Sequence, residues 1–241
     1  MVRINSYGQE IGDEVVQWKG SEAPKKVDLE GKYCKLEPLD VEKHAAALFD
    51  AYSKAPDDRM WTYLPIGPFK DYSDYRNFLL GVVNSSDSVS YAIVNHSNGR
   101  AVGTLAAMRF DIVNGTVEIG YVIFSPELQR TAISTEAQYL LMKYIFDVLK
   151  YRRCEWKCDS LNCPSRNAAL RLGFKLEGTF RNAAVYKGRS RDTTWLSVTE
   201  SEWADLRTTF TAWLSEDNFD EGVQKRKLTE IREKIKAIKS K

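Results

Sequence analysis

The chain of 241 residues has few histidines and lacks several common catalytic motifs. Its two histidines, His44 and His96, fall in a predicted helix and a predicted hairpin turn, so we do not expect a histidine-based catalytic triad. The sequence contains no G-x-S-x-G, no H-E-x-x-H and no G-x-x-x-x-G-K-[ST]. These absences argue against a serine hydrolase, a zinc protease and a P-loop nucleotidase.

Cysteine is also scarce, with four residues at Cys34, Cys154, Cys158 and Cys163. The last three are separated by three and four residues, a spacing that differs from the usual zinc-binding patterns, and both histidines are distant in sequence. We therefore expect reduced, partly buried thiols and no metal site.

The sequence has no apolar run of the roughly 18 residues that a membrane span needs. Its first residues, MVRINSYGQEIGDE, lack an apolar signal region, and we expect a cytoplasmic protein without a membrane partner. Hydrophobic residues make up 43% of the chain, which is enough for a sizeable core.

The net charge of +2 is unevenly distributed. Residues 223–241 carry eight basic and two acidic side chains, a net charge of +6, which leaves −4 for the rest. Because the body has no basic excess, we do not expect a nucleic-acid partner. An acidic body is compatible with a cationic substrate such as an amine.

Local patterns predict a mixed α/β fold. Two Asn-Gly turns link three strands at 88–95, 101–110 and 116–124 into an antiparallel meander. An amphipathic helix then leads to a strand at 153–160, and such a crossover predicts parallel neighbours. The other predicted elements are a strand at 32–39, helices at 41–53, 72–83 and 164–173, strands at 174–180 and 193–198, and a helix that starts in the capping box Thr199–Glu202.

The basic tail has apolar residues Leu228, Ile231, Ile235 and Ile238 at steps of three and four. This pattern predicts a helix that packs on the body or on a second copy of the chain, so a homodimer stays open. A contact with RNA or a membrane is the less favoured alternative.

The stretch SPELQRTAISTEAQYLLMKYIF, residues 125–146, leads from a strand through a polar turn into the amphipathic helix. A helix N-terminus offers unpaired N–H groups and the positive end of the helix dipole, which together can bind a pyrophosphate. Taken alone, the stretch is equally consistent with an ordinary capped helix.

Three motifs in order give the chain a family resemblance: EIGYVIFSPELQRTAISTEA, NCPSRNAALRLGF and EGTFR. Together they resemble the GNAT N-acetyltransferase superfamily, and most closely the branch with ribosomal-protein N-terminal alanine acetyltransferases. The resemblance covers about residues 31–197 and implies a central mixed, mostly antiparallel sheet with helices on both faces. We expect an acyltransferase domain at 31–215, an N-terminal extension at 1–30 and a basic helical tail at 216–241.

The resemblance implies acetyl-CoA as cosubstrate, held by the turn and helix start. Ala132 and Ser134 stand where the family motif has glycine or another small residue. An altered but working phosphate site is expected, because alanine keeps helical φ and serine adds a donor. The implied ligand-binding residues are Val122, Phe124, Gln129, Arg130, Thr131, Ala132, Ile133, Ser134, Thr135 and Asn162.

The implied reaction is direct transfer of an acetyl group to a primary amine. The backbone N–H of Phe124 would face the developing oxyanion, and Val122 would hold the pantetheine arm through its backbone. Glu118 is the candidate general base, alternatively a surface carboxylate. Ser165 would assist the departing thiolate, since Ala169 stands where many family members have tyrosine; alternatively it only starts a helix.

The acceptor is expected near MWTYLPIGPF, where Trp61 and Tyr63 would bind it; core packing is the alternative for both rings. A protein N-terminus, a free amino acid and a polyamine all remain open as acceptors. A larger acyl donor such as succinyl-CoA and a non-catalytic acyl-CoA-binding domain are the competing functions.

Overall fold

The computed structural model describes residues 3–239, which form twelve strands and six α-helices. The strands are β1 (Arg3–Ile4), β2 (Glu10–Ile11), β3 (Leu29–Glu30), β4 (Cys34–Pro38), β5 (Ser88–Asn95), β6 (Arg100–Asp111), β7 (Thr116–Phe124), β8 (Arg153–Asp159), β9 (Lys175–Tyr186), β10 (Arg189–Thr199), β11 (Phe219–Asp220) and β12 (Val223–Gln224). The α-helices are α1 (Val41–Ser53), α2 (Tyr72–Val83), α3 (Ala132–Lys143), α4 (Cys163–Leu172), α5 (Glu200–Leu214) and α6 (Leu228–Lys239).

Eight of the strands make one sheet in the order β3-β4-β5-β6-β7-β8-β10-β9. Every neighbouring pair is antiparallel except β7 and β8, which are parallel. This confirms the predicted mixed, mostly antiparallel fold, including the meander of β5 to β7 and the crossover through α3. β1 with β2 and β11 with β12 form two separate small hairpins.

Helices cover both faces of the sheet. On one side, which we call the α3 face, residues of α3, α4, α5 and α6 pack with strand residues such as Leu105 and Ile119 in the larger core cluster. On the other side, the α1 face, α1 and α2 pack around Ala92 and Ile123. Because side chains alternate along a strand, each strand contributes to both faces.

Glu136 of α3 is buried, at 3% exposure, and fixes where β4 begins. Its carboxylate accepts the backbone N–H groups of Lys32, Tyr33 and Cys34 at 2.7, 2.6 and 2.8 Å. The predicted strand at 32–39 therefore starts later, because the turn that precedes it is bonded to the side chain of Glu136. A Cβ at Gly31 would stand 2.7 Å from Cδ of that glutamate, so this turn needs glycine.

The α3 helix ends at Lys143 and passes into a π-helical turn at Tyr144–Val148. The amphipathic pattern predicted one helix up to Leu149, because Tyr144 and Ile145 are buried on the same side as the rest. The wider turn is closed by a bond from the N–H of Leu149 to the carbonyl of Tyr144 at 3.0 Å. A π-helical turn of this kind shifts the helical hydrogen bonds by one residue, and the buried side of the helix continues through it.

The segment before the sheet is bonded to the body. The indole N–H of Trp18 donates to the carbonyl of Val113 at 2.8 Å, and the N–H of Ser21 donates to that of Ile112 at 2.8 Å. Further along, the N–H of Lys25 donates to the hydroxyl of Tyr144 at 3.0 Å. The division of the chain into three parts stays a prediction.

The basic tail forms α6 and packs on the same chain. Leu228 and Ile231 are buried in the core cluster, whereas Ile238 is 65% exposed. Arg232 donates to the carbonyls of Arg171 and Leu170 at 3.0 and 3.3 Å, which caps the C-terminal end of α4 with a cation. The apolar seam is therefore used within the chain over its first half.

Within residues 3–239, no helix is long and apolar enough to cross a membrane. The same residues contain no group of three or more His, Cys, Asp or Glu side chains placed to hold a metal ion. All four cysteines are free thiols, with Cys163 exposed and the other three buried.

Candidate active site

The parallel strands β7 and β8 diverge to form a wedge-shaped opening in the sheet. Their pairing covers only Thr116–Glu118 against Arg153–Glu155. Opposite this opening, the register of β7 with β6 jumps, so that β7 has one residue more than β6, and Tyr121 takes a φ of 47°. A bulge of this kind bends the strand and ends pairing, which frees the second half of β7 from β8.

Two N–H groups of β7 point into this wedge. The N–H of Ser125 donates to the carbonyl of Val102 on β6 at 3.2 Å. Successive N–H groups along a strand point to opposite sides, so the N–H of Phe124 points away from β6. By the same alternation, the N–H of Val122 also points toward the wedge. Both residues therefore offer backbone donors where the sheet is open.

The turn between β7 and α3 is closed by its own hydrogen bonds. Thr131 is the N-cap of α3, and its hydroxyl accepts the N–H of Ser134 at 3.3 Å and donates to the carbonyl of Leu128 at 2.7 Å. The Ser134 hydroxyl donates to the carbonyl of Thr131 at 2.8 Å, and Gln129 Nε2 donates to that of Phe124 at 3.3 Å.

The turn therefore fixes the helix start with the side chains of Thr131 and Ser134. Residues Ile133 and Thr135 complete the first turn of α3.

The substituted positions of the turn do not need glycine. The only residue from 129 to 135 with positive φ is Arg130, at 62°. Ala132 and Ser134 are helical residues, a conformation that alanine and serine adopt without strain. The backbone of the turn is therefore compatible with this sequence.

The first turn of α3 contains no acidic residue. The comparable turns of α1, α2 and α5 contain Glu42, Asp74 and Glu200, whereas that of α4 on the other side of the wedge also has none. Acidic side chains near a helix N-terminus neutralise the positive end of the dipole. At α3 that end stays available beside the wedge, which suits an anionic ligand.

The other side of the wedge is formed by β8 and the start of α4. Asn162 is the N-cap of α4, and its side-chain oxygen accepts the N–H of Ser165 at 3.1 Å. The Ser165 hydroxyl accepts the indole N–H of Trp156 at 3.0 Å. Burial raises the pKa of the neighbouring Cys158 thiol. Ser165 thus keeps its own proton for donation.

Glu118 lies on the α1 face next to the mouth of the wedge and is 4% exposed. One carboxylate oxygen accepts Arg109 Nη1 at 2.8 Å, and the other lies 2.9 Å from Lys157 Nζ. Lys157 also lies 3.0 Å from Glu155 and 3.8 Å from the ring centroid of Trp195. The buried carboxylate of the candidate base is thus held between the exposed cation of Arg109 and the largely buried cation of Lys157.

The predicted acceptor residues lie in the turn between α1 and α2. Trp61 is 6% exposed, with its ring against Tyr52 at 5.6 Å and Phe69 at 5.4 Å, whereas Tyr63 is half-buried. The indole of Trp61 thus belongs to the core. Its carbonyl accepts Lys187 Nζ at 2.8 Å, from the turn of the β9–β10 hairpin. That turn therefore faces the predicted acceptor side.

Comparison with known proteins identifies the class. The acetyltransferase (GNAT) domain family matches residues 35–175, more than half of the chain. The chain therefore belongs to the GNAT acetyltransferase family, as the motifs predicted, and membership implies acyl transfer from an acyl-CoA.

Individual relatives agree with this assignment. A structure of a GCN5-related N-acetyltransferase from Brucella melitensis is 42% identical, with a TM-score of 0.88, over 90% of this chain and 99% of that one. The uncharacterized N-acetyltransferase p20 of Bacillus licheniformis is 28% identical over 61% of this chain and 84% of its own length. YdaF of Bacillus subtilis, named as a proposed ribosomal N-acetyltransferase, is 31% identical over 44% of this chain and 57% of its own length.

Sequence reasoning named residues of the turn, residues on both sides of the wedge and Glu118, and their roles stay predictions; it missed three features. The bulge at Tyr121 was missed because tyrosine gives no signal for positive φ. The ion pair of Glu118 with Lys157 depends on the register between β7 and β8. The contacts of the β9–β10 turn with the Trp61 region join residues more than 120 positions apart.

Proposed function

We propose that this protein transfers the acetyl group of acetyl-CoA directly to a primary amine. The observation that carries the proposal is the wedge between β7 and β8, with the N–H groups of Val122 and Phe124 directed into it. The N-terminus of α3, free of acidic residues, lies at the same end. A thioester with a pyrophosphate arm fits a site with these two kinds of donor.

The donor-binding residues follow from this arrangement. The backbone N–H groups of residues 130–133 would bind the pyrophosphate, with the side chains of Gln129, Ser134 and Thr135 beside them. The N–H of Val122 would hold the pantetheine amides from one side of the wedge, with Asn162 on the other. The N–H of Phe124 would stabilise negative charge that develops on the thioester oxygen.

In the transfer step, the amine nitrogen forms a bond to the acetyl carbon and the bond from carbon to sulfur breaks. The amine proton passes to a base, for which Glu118 is the candidate, through a water molecule. Ser165 would donate a hydrogen bond to the departing thiolate, because its hydroxyl accepts from Trp156 and keeps a proton for this purpose.

The acceptor would enter on the α1 face, beside the contact between the Trp61–Tyr63 turn and the β9–β10 hairpin. Protein N-termini and small amines both remain candidates. The similarity to YdaF supports testing peptides that match ribosomal-protein N-termini.

A second candidate function is acyl-CoA binding without turnover. It is favoured by the two cations that engage the oxygens of Glu118. It differs from the first in a measurable way, since only a transferase releases free CoA in the presence of an amine.

The test is a thiol-release assay with acetyl-CoA or succinyl-CoA as donor. The acceptors are peptides with free N-termini, amino acids and polyamines. We expect turnover with acetyl-CoA, which Glu118→Gln lowers at least ~100-fold by removing general-base catalysis while the donor affinity stays unchanged. Donor binding without thiol release on any acceptor would favour the second candidate, and turnover retained by Glu118→Gln would remove Glu118 from the chemistry.

A further inference from the structure

Arg191 on β10 is a half-buried cation that lacks a polar partner. Its Nε atom is buried and has no hydrogen-bond acceptor, and across residues 3–239 its guanidinium forms no ion pair. A buried donor without an acceptor costs free energy, and such groups are rare in folded proteins. A guanidinium with a buried, unpaired N–H group can accept an anionic ligand without breaking an existing ion pair.

The cations deeper on the same face are paired with acids. Arg153 contacts Glu155 and Glu177 at 2.9 and 2.7 Å, and Lys157 contacts Glu118 and Glu155. In each pair the carboxylate neutralises the cation, so these cations are not available to bind an anionic ligand. Arg191 lies farther along the sheet. Unlike Arg153 and Lys157, it has no carboxylate partner within residues 3–239.

Two further cations lie near Arg191, and we call the three the hairpin cations (Lys187, Arg189 and Arg191). Lys187 and Arg189 donate to the carbonyls of Trp61 and Thr62 at 2.8 and 2.6 Å, not to carboxylates. Burial lowers the pKa of the Lys187 ammonium, and the charge of Arg189 lowers it further. Asp58 acts on the pKa of Lys187 in the opposite direction, but within residues 3–239 none of the three cations forms an ion pair with a carboxylate.

The ring of Tyr186 connects the hairpin cations to the wedge. Its centroid lies 5.2 Å from the Arg189 guanidinium and 6.0 Å from that of Arg191. Its hydroxyl donates to Asp159 at 2.7 Å, at the end of β8. Asp159 also accepts the N–H of Leu161 at 2.9 Å, so each of its oxygens has one donor.

Tyr186 therefore links Arg191 to the end of β8, and the adjacent hairpin turn links it to Trp61 and Thr62. Arg191 thus lies on the side from which the proposed acceptor would approach the wedge.

We propose that Arg191 binds a carboxylate of the acceptor, so that the preferred substrate is a primary amine whose molecule also carries an acidic group. The proposal rests on the proposed transferase function. A planar guanidinium matches a carboxylate in a bidentate geometry, and the neighbouring cations add long-range attraction. An acidic group bound here would place the rest of the acceptor toward the wedge.

The first test compares acceptors with the same amine, with and without the acid. Amino acids are paired with their amides, and amidated tripeptides with glutamate are paired with those containing glutamine. For at least one pair we expect wild type to prefer the acidic member by ~10- to 100-fold in kcat/KM, and Arg191→Gln to remove that preference.

The control is Arg181→Gln, which changes an exposed arginine on the adjacent strand and should keep the preference. The neutral acceptors and the KM for acetyl-CoA should be unchanged in both variants. Equal rates for both members of every pair would overturn the proposal while leaving the transferase function intact. A raised KM for acetyl-CoA in Arg191→Gln would also overturn it, because Arg191 would then bind the donor.

The second test does not depend on turnover. The Nε–H signal of Arg191 in a proton–nitrogen correlation spectrum is assigned by its absence from Arg191→Gln. We expect glutarate to shift this signal and glutaramide to leave it in place. No shift with glutarate, or a response to inorganic phosphate at lower concentration than to glutarate, would overturn the carboxylate assignment even if no acceptor were acetylated.

Discussion

Replacement of Glu136 by glutamine tests how strongly the sheet edge is fastened to α3. The carboxylate accepts three backbone N–H groups within 2.8 Å and is nearly inaccessible to solvent. Glutamine keeps the shape but turns one acceptor oxygen into an NH₂ donor. In its better orientation, with the oxygen toward Tyr33 and Cys34, the new donor faces the N–H of Lys32. At least one hydrogen bond is lost, and the other two lose their charge assistance.

A hydrogen bond to a charged group contributes about 1.5–3 kcal/mol, and an unsatisfied buried donor costs about 1–3 kcal/mol. Allowing for relaxation of the turn, we expect Glu136→Gln to lower the free energy of unfolding by about 2–4 kcal/mol. For a chain of this size that corresponds to a fall in Tm of roughly 5–12 °C.

The assay is urea unfolding followed by circular dichroism, with Glu127→Gln as control. Glu127 is exposed and has only a 3.9 Å ion pair with Lys54, so its replacement should cost less than about 0.5 kcal/mol. If Glu136→Gln cost no more than this control, the three N–H bonds would not hold β4 on α3 and the reasoning would be refuted.

Two further predictions concern charged groups away from the site. Burial raises the pKa of Glu37, but bonds from neighbouring cations outweigh it and lower that pKa from 4.5 to about 2. Its stabilising effect is therefore present above about pH 4.5 and is lost as the pH falls toward 2. The stability gap between wild type and Glu37→Gln should close over that range in acid unfolding, with exposed Glu10→Gln as control; a constant gap would contradict this. Arg232→Ala should cost about 1–2 kcal/mol in urea unfolding by uncapping α4, whereas Lys234→Ala should be neutral, and equal effects would contradict the capping role.

Much of the fold could be predicted because local signals and packing agree. The turns at Asn98-Gly99 and Asn114-Gly115, the cap at Asp40 and the capping box at Thr199 each begin or end an element where the sequence indicated. The parallel pairing of β7 with β8 followed from the strand-helix-strand connection alone. Such features depend on short stretches of chain.

The remaining features depend on contacts between distant segments. The start of β4 is set by Glu136, about 100 residues away. The environment of Glu118 depends on Lys157 of the next strand. Arg191 looked like one of several charges in a turn region, and its lack of a partner becomes visible only when the strands are assembled. Motif reasoning therefore makes more specific predictions for the donor side of the site than for the acceptor side.

The central claim, that the N-terminus of α3 binds the pyrophosphate of acetyl-CoA, is tested most directly by Ser134→Glu beside Ser134→Gln. Ser134 is the third residue of α3 after its N-cap, Thr131, so either variant creates the capping box that Thr199 and Glu202 already form in α5. Both variants should therefore fold at least as stably as wild type. Only the glutamate adds a negative charge where the phosphates would bind.

Titration calorimetry with acetyl-CoA gives the decisive comparison. The account predicts that wild type and Ser134→Gln bind acetyl-CoA and that Ser134→Glu binds at least ~10-fold more weakly than Ser134→Gln, through repulsion between its carboxylate and the phosphates. Equal affinities for the two variants, or no binding by wild type, would contradict it.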